Sequence, residues 1–374
     1  MNHHFSELDT PTGMSWVLPN TILYVRTGSQ AYGTALPESD EDFRGITIPP
    51  PEYTLGVKRF EQFSLKTPDV TIYGLHKYIL LALACNPNIL ELLFVNQGDI
   101  MYMDSLGQEL RKHRQLFLSK KCYYTYTGYA VGQLKRLKSH RSWLLNPQEV
   151  KPTRREYGLP DKPALPKGQI DSALAQIRKH MDAWEIDFGQ MDEAEKLFVK
   201  QQISQYLAEL QIGKEEKWNI TTQALGMSDD FVSLLRQERD YRRALTGWNS
   251  YQSWKANRNE KRAALEREHG YDTKHAMHLV RLLTTCAEIL ENGTLHVRRP
   301  DADFLNFIRQ GGWSYEELMK WAEEQSQLLQ QLYSTSSLPR LPDFKSVEEL
   351  TIDIFKRSYG YTPKSVFMGG VTSQ

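Results

Sequence analysis

The chain has 374 residues, in which Lys plus Arg and Asp plus Glu balance at 46 each. A neutral total speaks against a protein that coats nucleic acid through bulk charge, while leaving room for a local basic cleft. The length suggests about two domains, and the ordinary apolar fraction is enough to build their cores.

The first hundred residues read as mixed α/β. Residues 21–26 (TILYVR) form a short β-rich run suited to a buried strand. Gly28 and Gly33 mark a turn, and residues 42–48 (DFRGITI) read as a second strand ended by three prolines. Residues 69–73 (DVTIY) read as a third strand. Helices are expected at residues 75–85 and 88–94, broken by Asn86-Pro87.

Beyond about residue 115, helical patterns dominate: 123–140, 170–185, 192–212, a charged stretch at 231–269, and 272–291. A proline-rich loop at 146–168 separates the first two. The expected fold is α+β, with a small mixed-sheet domain at 1–115 and a larger helical substrate-binding domain at 116–374. Cys85, Cys122 and Cys286 are far apart and form no CxxC pair, which fits reduced thiols. No apolar run is long enough for a bilayer, and the start MNHHFSELDT is unlike a signal peptide. A cytoplasmic protein without a membrane partner is expected.

The chemistry concentrates in TGSQAYGTALPESDEDFRGI, residues 27–46. Asp40 and Asp42 are separated by one residue at the start of a strand, so period-two geometry aims both carboxylates to one side. Two such carboxylates repel unless a cation lies between them, and Mg2+ prefers hard oxygen ligands. Gly28 and Ser29 offer backbone N–H groups and a hydroxyl to phosphate oxygens. A two-metal site needs a third carboxylate, with Asp69 as candidate and Glu61 as the alternative. By itself Asp-x-Asp after a proline is usually a solvated turn; the flanking strand and Gly-Ser shift the balance toward function. The spacing of Gly28 and Gly33 imitates a P-loop, but Thr34 stands where the lysine is needed, which excludes that reading.

These residues resemble the DNA polymerase β superfamily of nucleotidyltransferases, whose signature is Gly-Ser, a spacer, Asp-x-Asp on a strand and a later third acid. The form GSxAYGTxxPxSDxDxRG, residues 69–94 and residues 258–283 are similar to its RNA-repair-associated family, found beside RNA ligases. The resemblance implies metal-dependent transfer of a nucleotidyl group from a nucleoside triphosphate, releasing pyrophosphate, with two Mg2+ ions or Mn2+ in their place. It implies catalytic and metal roles for Asp40, Asp42 and Asp69. The implied acceptor is an RNA end, and an RNA ligase is an implied partner. Transfer to a protein or small molecule, and a non-catalytic RNA-binding module, are the alternatives.

Further basic residues are candidates for nucleotide binding. Lys274, His278 and Arg281 share one helix face, which either grips phosphates or is simply solvated. Glu288, farther along, is expected to be a bystander. Arg44 points along its strand as Asp42 does, and Lys77 opens the helix after the third strand. His275 and His278 lack HExxH spacing and a cysteine partner, so no metal is expected on them. Lys135, Arg136, Lys138, His140 and Arg141, with Lys151, Arg154 and Arg155, offer an acceptor surface. Tyr123, Tyr124, Tyr126 and Tyr129 are expected to be core in preference to base-stacking platforms.

Overall fold

The computed structural model describes residues 8–360 except 9, 12, 38, 164, 183–213 and 259. The helix expected at 192–212 lies outside the described residues. The chain divides into two compact units: Met1–Val131 with Ala276–Gln374, and Gly132–His275. This division departs from a single boundary near residue 115, because helices from the C-terminal hundred residues pack in the same unit as the sheet.

Unit 1 is built on a five-stranded mixed sheet in the order β3-β4-β2-β1-β5. Its strands are β1 (Thr21–Thr27), β2 (Asp42–Thr47), β3 (Gln62–Leu65), β4 (Asp69–Gly74) and β5 (Ile100–Met103). β2 runs parallel to β4, and the other pairs are antiparallel. One sheet face buries Tyr24, Phe43, Phe63, Val70 and Ile72 beneath Leu8 and Val17. Tyr24 and Phe43 stack across β1 and β2 with centroids 5.4 Å apart, adding ring contact to their area burial. Alternation sends Asp42, Arg44 and Asp69 to the opposite face.

Between β1 and β2 lies the short helix α1 (Gly28–Tyr32), where the sequence suggested only a turn. After β4 come α2 (Leu75–Leu83) and α3 (Pro87–Phe94). Pro87 begins α3 at a position that needs no N–H donor, and the Asn86 side chain accepts from Asn88 N–H at 3.1 Å. α4 (Ser105–Lys112) and α5 (Lys121–Leu145) follow.

Unit 2 contains the end of α5, then α6 (Lys167–Asp182), α7 (Lys214–Ala224), α8 (Asp229–Ala256) and α9 (Glu260–His269). Ile170, Ile177, Trp218 and Leu235 form an apolar cluster in it. The proline-rich loop is tied to α8 rather than free: Arg154 pairs with the buried Glu238, and Lys255 reaches Glu149 at 3.0 Å. The chain returns to unit 1 within α10 (Thr273–Asn292) and ends in α11 (Ala302–Arg309), α12 (Tyr315–Thr335) and α13 (Phe344–Ser358). A Ser314–Glu317 capping box starts α12.

The three cysteines are buried thiols. Cys85 Sγ lies 3.5 Å from Ser119 Oγ, and Cys286 Sγ lies 4.0 Å from the Cys122 carbonyl oxygen, so thiols distant in sequence meet in one core. Among the described residues, no single helix is long and apolar enough to cross a membrane.

Candidate active site

Register places Thr27, Asp42 and Asp69 in one row across β1, β2 and β4. In-row neighbours on adjacent strands share a face, so Asp42 and Asp69 present their side chains together. The Thr27 hydroxyl donates to the Asp42 carbonyl at 3.2 Å. Gly28 follows at once with φ +66°, and a Cβ there would collide with Asp42 Oδ2. The left-handed backbone favours glycine, and any side chain there would push the Asp42 carboxylate aside.

Asp40 is exposed and precedes the strand, whose first residue is Asp42. The period-two argument for aiming Asp40 beside Asp42 thus does not extend to it. Asp69 is held by Arg44, whose Nη1 and Nη2 lie 3.1 and 3.3 Å from its two carboxylate oxygens. Both partners are partly exposed, and an ion pair of that kind is worth about 0–1 kcal/mol. It can be exchanged for a cation or a phosphate at little cost.

Glu61, just before β3, and Lys77, on α2, lie away from the carboxylate row. Their side chains pair at 3.0 Å, and the Glu61 carbonyl accepts from Gly74 N–H, at the opposite end of β4 from Asp69. That separation favours Asp69 over Glu61 as the third acid and gives Lys77 a partner away from the carboxylate row.

Arg281 differs most from the cationic stripe expected on α10. It is 4% exposed, pairs with Glu91 and stacks 4.0 Å above the Tyr32 ring. The Tyr32 hydroxyl donates to Glu91 Oε2 at 2.6 Å. Burial opposes the charge of Arg281, but the Glu91 carboxylate outweighs it and holds the pKa above its ordinary value. Burial also pushes up the Tyr32 phenol; Arg281 counters it, and Glu91 and Asp42 add to it. The triad thus anchors the last residue of α1. Lys274 is exposed in unit 2, and His278 is half-buried in unit 1. Glu288 is no bystander: it accepts from Arg299 and His296 at 2.6 Å each.

Sequence reasoning missed the contribution of residues 298–309. Arg299 N–H donates to the Tyr32 carbonyl at 3.0 Å, and Arg309 Nη1 donates to the Thr34 carbonyl at 2.7 Å. Arg298 passes beside Gly33, is 45% exposed, and reaches Asp99 at 3.4 Å. Asp99 also binds Arg26 at 2.9 Å. The arginine pair in HVRRPDADF was the available signal, but nothing local ties it to a loop more than 260 residues earlier.

Tyr123 and Tyr126 are buried, as expected of core aromatics, and burial pushes the Tyr123 phenol up to about 12. Tyr129 is 40% exposed and accepts from Asn86 at 2.9 Å. On the basic stretch, Lys135, Arg136 and Lys138 are exposed. Arg141 instead donates to the Gly270 carbonyl at 3.1 Å, and Arg155 pairs with Asp161.

Residues 3–157 match the family model described as the RNA repair pathway DNA polymerase beta family, which supports the resemblance read from the residues around Gly28 and Asp42. The matched segment includes Gly28, Asp42 and Asp69. No curated protein and no solved structure matches the chain.

Proposed function

We propose that the chain transfers a nucleotidyl group from a nucleoside triphosphate to an RNA end, releasing pyrophosphate. The observation that carries this reading is the row of Thr27, Asp42 and Asp69 with Gly28 packed against the Asp42 carboxylate. The donors are carboxylate oxygens on one sheet face, which suits Mg2+. Asp40, Asp42 and Asp69 are the residues that would hold it, with Asp40 closing in from the preceding loop. When bound, the metal supplies charge neutralisation at the reacting phosphate.

The protein's own groups do the rest. Gly28 and Ser29 present N–H and hydroxyl donors to the triphosphate. Arg298, half-exposed beside Gly33, and Arg44 add charge-assisted contacts. Asp69 accepts the proton of the attacking hydroxyl once Arg44 turns to phosphate. Tyr32, Glu91 and Arg281 position α1 from below, so Arg281 acts through the fold rather than on substrate. His278, in the same unit, is a further candidate phosphate contact.

The acceptor is tested by offering RNA, protein and small-molecule hydroxyls with α-labelled triphosphates. Label on RNA supports the proposal; label only on protein or a small molecule moves the reading to those substrates.

A further inference from the structure

Away from the carboxylate row, ligand-type side chains converge in unit 2. His140 on α5, Asp272 just before α10 and His275 in its first turn each offer a ligand atom, all within 4.8 Å of one another. The local sequence explains the placement. Asp272 Oδ1 accepts from the His275 backbone N–H at 3.1 Å, capping α10. Its other oxygen, Oδ2, is thereby directed at two imidazoles: His140 Nδ1 at 3.2 Å and His275 Nε2 at 3.6 Å.

Gln133 Oε1 lies 2.7 Å from His275 Nδ1. In the neutral ring, Nδ1–H donates to that oxygen and leaves the Nε2 lone pair aimed at Asp272 Oδ2. A cation between that lone pair and the carboxylate oxygen would satisfy both. An outer acceptor that fixes the ring in this way is the usual companion of a metal-binding histidine. Asp272 is fully buried, and Glu266, 1% exposed, bonds to it. Arg258 pairs with Glu266.

Two imidazole nitrogens and one carboxylate oxygen suit a borderline ion such as Zn2+ better than Mg2+. His140 also lines an open cleft of about 540 Å³ with Trp143, Asn249, Trp254 and Asn257, giving the cluster an approach from solvent. We propose that His140, Asp272 and His275 form a site for a divalent transition-metal ion, separate from the Mg2+-directed acids. Three protein ligands leave a position for water or a cleft-bound ligand. The proposed ligands, Asp272 three residues before His275 and His140 on α5, do not follow HExxH spacing.

The test uses the full chain, stripped with chelator and titrated with Zn2+ alone. About one equivalent should bind in the wild type and in Asp42→Asn. Gln133→Leu should weaken binding about 10- to 100-fold, and the double variant His140→Gln/His275→Gln should lose that equivalent. Zn2+ should also raise the wild-type Tm with dose, a readout independent of variant folding. Absence of both binding and a Tm shift in the wild type overturns the proposal. So does Zn2+ binding that survives unchanged in the double variant.

Discussion

Asp42 and Asp69 stand directly opposite each other on the parallel strands β2 and β4, on the same face of the sheet. Two carboxylates placed side by side by backbone register are costly unless the site recruits positive charge, and Arg44 supplies it at Asp69. On the proposed reading, metal and triphosphate take over that role.

Asp42→Asn should abolish transfer in a folded protein. Loss of a metal-holding carboxylate removes at least about 3 kcal/mol of transition-state stabilisation, on the order of a hundredfold or more in rate. Asp69→Asn should lower kcat strongly while triphosphate binding survives better than in Asp42→Asn. If Glu61→Gln is damaging and Asp69→Asn is silent, the third acid is misassigned.

Arg44→Ala should separate the two duties of that arginine. With Asp69 released, half-maximal activity should need less Mg2+. The lost phosphate contact should raise KM for the triphosphate by roughly tenfold or more, the effect of a charge-assisted bond worth about 1.5–3 kcal/mol. Metal titrations at saturating triphosphate check the first effect and triphosphate titrations the second. Unchanged values in both remove Arg44 from the site.

Gly28→Ala meets both a left-handed φ and the Asp42 carboxylate. The backbone conformation alone costs about 1–2 kcal/mol for a residue with a Cβ, and the displaced carboxylate should remove activity. Urea unfolding combined with a rate measurement tests this. Near-normal activity in Gly28→Ala would place Asp42 outside the reacting centre.

Arg281→Met leaves Glu91 buried without its cation, which should destabilise unit 1 by about 3–5 kcal/mol. Tyr32→Phe, which removes one bond to Glu91, should cost less. Urea midpoints for the two variants give the comparison. A fully stable Arg281→Met with weakened triphosphate binding would instead restore the phosphate-gripping role read from the helix face.

The parts of this site legible in the sequence were the local ones. β1, β2 and β4 announced themselves through β-rich runs next to glycines and acids, and they carry the row that defines the candidate site. β3 and β5, four residues each, are too short to show a period. Arg281 looked like part of a solvated stripe because helical spacing reveals which residues share a face but not which faces are buried. Its partners, Tyr32 and Glu91, come from other elements, as do Gln133 and His140 beside His275. Glu288 was misjudged for the same reason: its arginine and histidine follow the end of α10 and fold back. Pairing beyond the residue's own helix decided these cases.

The most direct measurement follows two labels through one reaction. The protein is incubated with an RNA acceptor, Mg2+ and a nucleoside triphosphate labelled either at the α- or at the γ-phosphate. The account predicts that α-label becomes attached to RNA, that γ-label leaves as pyrophosphate, and that both events vanish in Asp42→Asn. Transfer of γ-label to the acceptor, or unchanged α-label transfer in Asp42→Asn, would contradict it.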